Sequence, residues 1–142
     1  MKKSLVLVVA AMILAGCSVR ADPVELSRAC VVENDGKNVQ LTGILSARTN
    51  VSCSNRGGRM ECGFEVLESA GGVRKMSADI EVGSGANTMD ELQKSYKLED
   101  LKIRDNHGSH VVTETEPVRL TGRLSVSPDA KACFMQVYKI EK

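Results

Sequence analysis

Cys30, Cys53, Cys62 and Cys133 carry the most definite chemistry in this sequence. Thiols can bridge one another or hold a metal. The chain has no C-x-x-C and none of the ligand spacings of zinc sites, so an even set of four reads as disulfides. Gly57-Gly58 is a favoured two-residue hairpin turn. Centring a hairpin on it pairs Arg56 with Arg59, Asn55 with Met60, Ser54 with Glu61, and Cys53 with Cys62. The cysteines then fall on a non-hydrogen-bonded pair, where Cα atoms lie ~4.5 Å apart and a disulfide fits. Cys30–Cys133 follows by elimination, closing a loop of about 100 residues that the chain-entropy model values at about 4.7 kcal/mol.

Other side chains offer weaker chemistry. Glu114 and Glu116 are a carboxylate pair of the kind used in acid–base catalysis. They sit beside Thr113, Thr115 and Pro117, a composition that predicts a solvated loop. No G-x-S-x-G nucleophile motif occurs, and Gly83-Ser84-Gly85 is too short for a phosphate loop. No catalytic residue is expected, and no cofactor. His107 and His110, spaced His-x-x-His in a turn, are the metal candidates, with Met60, Met76, Met89 and Met135 as possible soft ligands for copper. The plainer expectation is a polar hairpin tip and core methionines. Asn55, Arg56 and Arg59 crown the stapled hairpin, where two arginines could meet a carboxylate partner with little ordering cost.

The elements that must position these residues read as mainly β. Val39, Leu41, Leu45 and Ala47 alternate with polar residues, as do Val118, Leu120, Leu124 and Val126. The two stretches, VQLTGILSA and VRLTGRLSV, echo one another around Gly43 and Gly122. Glycine in a strand interior marks a bend or a close backbone approach, as barrel strands require. Residues 60–69 and 73–82 form a hairpin around Ala70-Gly71-Gly72, and 98–112 a smaller one broken at Asp105-Asn106-His107-Gly108. Residues 133–140 pair back on 118–126. Capping-box patterns at Asp22-Pro23-Val24-Glu25 and Thr88-Met89-Asp90-Glu91 predict two short helices. The first presents Leu26, Ala29 and Cys30 on one face, the second Met89, Leu92 and Tyr96. Three strands, a helix and two strands is the order of an OB-fold barrel; a β-sandwich or another small barrel is the alternative.

The N-terminus carries an address. Lys2 and Lys3, an apolar run and small residues at a cut site make a secretory signal. A spanning helix needs ~20 apolar residues, and Arg20, Asp22 and Glu25 interrupt the run too early. Leu14-Ala15-Gly16-Cys17 resembles the lipobox of bacterial lipoproteins. The resemblance implies a signal peptide over 1–16, lipidation of Cys17 and a tether over 17–22 before a barrel domain at 23–142. Several acyl chains on one residue anchor a protein durably. Ser18, rather than aspartate, follows the acceptor, which implies the periplasmic face of the outer membrane.

Losing the signal removes two of 19 basic residues and none of the 18 acidic ones, so the mature domain is close to neutral. Nucleic-acid binding normally leaves a basic footprint and uses aromatic platforms. Here only Phe64, Phe134, Tyr96 and Tyr138 are aromatic, and a nucleic-acid partner is not expected.

Gly36-Lys37-Asn38-Val39-Gln40-Leu41-Thr42-Gly43, with Val118 to Gly122, is similar to the strand openings of small envelope proteins of the anticodon-binding-like OB group. That resemblance implies a fold and no activity. The functional expectation is a non-catalytic binding or assembly module that recognises an envelope protein, peptide or glycan. A rival is inhibition of a lytic enzyme such as lysozyme, for which Ser84-Gly85 and Lys94-Ser95-Tyr96 are a faint echo of an inhibitory loop. Another is metal handling through His107 and His110.

Overall fold

Alternating burial along the strands closes the chain into a barrel in the computed structural model, which describes residues 19–48 and 50–142. Cys17 and the signal segment lie outside the described residues. Nine strands are described: β1 (Asp22–Pro23), β2 (Asn38–Ser46), β3 (Ser52–Arg56), β4 (Arg59–Leu67), β5 (Arg74–Glu81), β6 (Ile103–Arg104), β7 (His110–Val111), β8 (Pro117–Val126) and β9 (Cys133–Glu141). Five of them form the wall in the cyclic order β2-β4-β5-β9-β8, with β5 and β9 parallel. That is the connectivity of an OB-like barrel.

Closure depends on β2 serving two neighbours. Its first part pairs with β8, and Ile44 to Ser46 turn onto Leu67 to Glu65 of β4. The echoed segments are partners: Val39 lies opposite Gly122, Leu41 opposite Leu120, and Gly43 opposite Val118. Each therefore repeats the other about a local two-fold axis, and each glycine sits where its strand bends toward a third. A Cβ on Gly43 would lie 2.5 Å from Val66 Cγ1, and one on Gly122 only 2.1 Å from the Gln136 carbonyl oxygen. The β8–β9 ladder shifts register at Thr121/Gly122.

Phe64, Met76, Ile80, Leu120, Leu124 and Met135 fill the interior. Both expected disulfides are present. Cys53 lies opposite Cys62 in the predicted hairpin register, their Cα atoms 4.0 Å apart. Gly57 and Gly58 take φ of 61° and 84°, the left-handed pair that a tight turn of type I′ requires. Cys30–Cys133 ties the segment before β2 to the start of β9.

The two expected helices are corrected. Asp22–Pro23 does not cap a helix; it forms β1, parallel to β2, and Val24 N–H donates to the Gln40 carbonyl at 2.9 Å. Only 3-10 turns follow, at Leu26–Arg28 and Val32–Asn34, although Leu26 and Ala29 are buried as expected. Around Met89 the chain is extended. Met89 N–H donates to the Glu81 carbonyl, its own carbonyl accepts from Gly83 N–H, and its side chain is buried. A helix this short gains little from its own hydrogen bonds, so sheet-edge partners and a core position for Met89 prevail. Leu92 and Tyr96 still pack on the core.

Candidate binding face

Alternation puts every second residue of β3, β4, β5 and β9 outside the barrel, and the pairing aligns them into a row. Ser54 lies opposite Glu61, Gly63 opposite Asp79, and Asp79 opposite Gln136. Gly63 keeps the row open, since a Cβ there would stand 3.2 Å from Asp79 Oδ1. Arg56 reaches back across this wall, its guanidinium carbon 5.1 Å from the Phe134 ring centroid.

Electrostatically, the row is unfinished. Glu61 is only 5% exposed. Its Oε1 accepts a hydrogen bond from Gln136 Nε2 at 2.8 Å. Its Oε2 is the one buried side-chain polar atom without a hydrogen-bond partner among the described residues. The nearest cation, Arg56, stands 3.8 Å from that oxygen and 3.6 Å from Asp79 Oδ2. Charge-assisted hydrogen bonds normally close to about 2.7–2.9 Å. Burial raises the Asp79 carboxyl above its ordinary range; Arg56 opposes the shift and Glu61 adds to it.

A 260 Å³ cleft borders the row, lined by Arg59, Glu61, Glu81, Thr88, Gln136 and Tyr138, among others. A wider groove of about 660 Å³ opens between β1 and the end of β4. Its rim charges are exposed and each has an oppositely charged neighbour: Glu25 and Arg28 at 3.7 Å, Glu68 and Lys75 at 3.7 Å, and Arg119 and Glu141 at 3.2 Å.

The structure separates the residues singled out by sequence. Arg56 folds onto the wall, while Arg59 lies 4.0 Å from Glu81. Asn55 accepts a bond from Gly58 N–H at 3.0 Å and so shapes the turn. Glu114 and Glu116 are not a free pair in a solvated loop. Glu114 accepts from Ser46 Oγ at 2.8 Å and Ala47 N–H at 2.7 Å, and Glu116 from Val112 N–H at 2.8 Å. His107 and His110 are exposed on the β6–β7 hairpin. Among the described residues no three His, Cys, Asp or Glu side chains are grouped to share a metal ion.

Sequence reasoning passed over Glu61, Asp79, Phe134 and Gln136. The hairpin register already placed Glu61 opposite Ser54 on the face away from Cys62. Joining it to Gln136 needed the β5–β9 pairing, which is remote in sequence.

Comparison with protein-family models, curated proteins and solved structures finds no match for the chain.

Proposed function

We propose that this chain is a lipoprotein anchored through Cys17 to the periplasmic face of the outer membrane, its OB-like barrel a non-catalytic binding or assembly module. One observation carries the binding reading: the outer row of Arg56, Glu61, Asp79 and Gln136 spans four strands yet leaves a buried carboxylate oxygen without a hydrogen bond, its nearest cation, Arg56, at 3.8 Å. Buried polar groups are normally satisfied, so an exception calls for a physical account, and a donor supplied from outside the chain is the one this reading gives. Its stapled hairpin presents the row with little ordering cost on association. Cys17 belongs to the same reading through its lipobox resemblance, and the near-neutral mature charge favours a protein, peptide or glycan over a nucleic acid.

A photo-crosslinking residue at Ser54, opposite Glu61, tests the reading in cells. Capture of one dominant envelope protein, lost in a Cys17→Ser variant that no longer incorporates palmitate, is the expected result. A Cys17→Ser protein that keeps both its lipid label and its membrane fraction overturns the anchor. Diffuse labelling with correct anchoring overturns the module.

A further inference from the structure

The geometry points to the cleft beside Glu61 as a binding site for a cationic N–H donor, the ammonium of a lysine or the guanidinium of an arginine presented by a partner protein. The inference deepens the module reading above and rests on it. Glu61 is a charged side chain almost wholly removed from water, with one oxygen lacking a donor. An unmade bond at a buried charge costs more than one at a neutral group. Glu81 adds a second carboxylate to the cleft wall. Exposed Arg59 on the same wall stands 4.0 Å from it, a long contact that leaves the Glu61 oxygen unanswered. Tyr138, an exposed aromatic, is of the sort that attracts cations. The cleft volume, 260 Å³, suits one long side chain and falls below that of drug-sized ligand pockets.

Arg56 does not complete the site. Its two ion-pair distances, 3.6 and 3.8 Å, are those of a neighbouring charge. Elsewhere the same chain seats an arginine fully. Arg104 bonds Asp90 at 2.6 Å and the carbonyls of Gly83 at 2.5 Å and Gly85 at 3.1 Å. Half-exposed Arg56 is thus a placeholder that an incoming cation displaces from the acidic row.

The test is an amide NMR titration of the folded domain with blocked lysine and arginine peptides of the form acetyl-Gly-X-Gly-amide. Saturable shifts at Glu61, Asp79 and Gln136, with Kd of about 1 mM, are expected for a single charged contact. Arg56→Met removes the competitor and tightens binding; Glu61→Gln weakens it about tenfold while the spectrum stays folded. Tetramethylammonium, a cation with no N–H, binds more weakly than either peptide because it can use only the aromatic ring and the charge. Equal response to tetramethylammonium, or binding unchanged in Glu61→Gln, overturns the site. Tighter binding of spermidine than of either peptide overturns the protein source in favour of a free polyamine. Peptide silence in both wild type and Arg56→Met, alongside a clean Ser54 crosslink, sinks this site and leaves the module standing. Peptide binding without a crosslink does the reverse.

Discussion

Two regions of this barrel hold carboxylates buried or half-buried and treat them in opposite ways. In the loops, Glu114 and Asp105 are enclosed by donors. Glu114 takes Ser46 Oγ and Ala47 N–H, with Arg48 at 3.7 Å, and Asp105 takes the N–H groups of His107 and Ser109 at 2.9 and 2.8 Å. On the wall, Glu61 has one bond and an orphan oxygen. The difference follows from where backbone donors are free. Loops leave N–H groups without ladder partners, and a carboxylate that answers them finishes the fold. Strands β4, β5 and β9 spend their backbone groups on one another, so Glu61 has no such task. A buried acid that the backbone does not need is the one available to a partner.

The sharpest break of that comparison is at Glu114. Glu114→Ala leaves Ala47 N–H and Ser46 O–H without their acceptor at the point where β2 ends. Bonds to a charged acceptor are worth roughly 1.5–3 kcal/mol, so a loss of about 2 kcal/mol is expected in urea unfolding. Glu114 also holds φ at 73°, a strained value for a side-chain-bearing residue, which marks how firmly its contacts fix it. A loss below about 0.5 kcal/mol, the range of ordinary surface changes, would erase the distinction between loop and wall.

Legibility in the sequence divides along a similar line. The Cys53–Cys62 hairpin could be read residue by residue, because a Gly-Gly turn fixes register locally. The five wall strands were legible from alternation, as was a bend at each echoed glycine. Their order around the barrel was an expectation drawn from the OB-fold pattern, with a β-sandwich as its alternative. That the echoes pair with each other was not legible, since strand register between Leu41 and Leu120 is set by the closed barrel. Both capping boxes misled. Thr88 spends its hydroxyl on the Gly85 carbonyl, and Met89 joins the sheet edge. Glu114 read as solvated because its donors, Ser46 and Ala47, lie far away along the chain. The wall site stayed hidden for the same reason: Arg56, Glu61, Asp79 and Gln136 meet only through long-range pairing.

Asp105 sharpens the comparison through pH. Burial alone would raise its carboxyl. The N–H groups of Ser109 and His107, with the charges of His107 and Lys142, outweigh burial and hold it below the ordinary aspartate range. A depressed native value stabilises the fold above the unfolded pKa of ~3.9, and that contribution disappears as pH falls through the native value. Asp105→Asn should therefore lower stability at neutral pH by less than Glu114→Ala does. It should also flatten the acid limb of the stability profile. An acid limb identical to wild type would show that the Asp105 turn does not read the charge.

Asp79, on the wall, should show the smallest effect and the opposite slope. Its native carboxyl is raised by burial, helped by Glu61 and opposed by Arg56, so the folded protein holds this proton at higher pH than the unfolded chain does. Between the ordinary and the raised value, stability grows as pH falls; above the raised value the ionised group is a net cost. Removing the charge with Asp79→Asn should leave neutral-pH stability within about 0.5 kcal/mol of wild type or slightly above it. The gain on mild acidification should vanish in the variant, which parallel urea titrations at neutral and acidic pH would measure. If Asp79→Asn instead costs as much as Glu114→Ala, the Arg56 ion pairs are structural and the wall is as complete as the loops. If it does not, the row tolerates loss of a charge that the fold never needed, as a surface kept for a partner would.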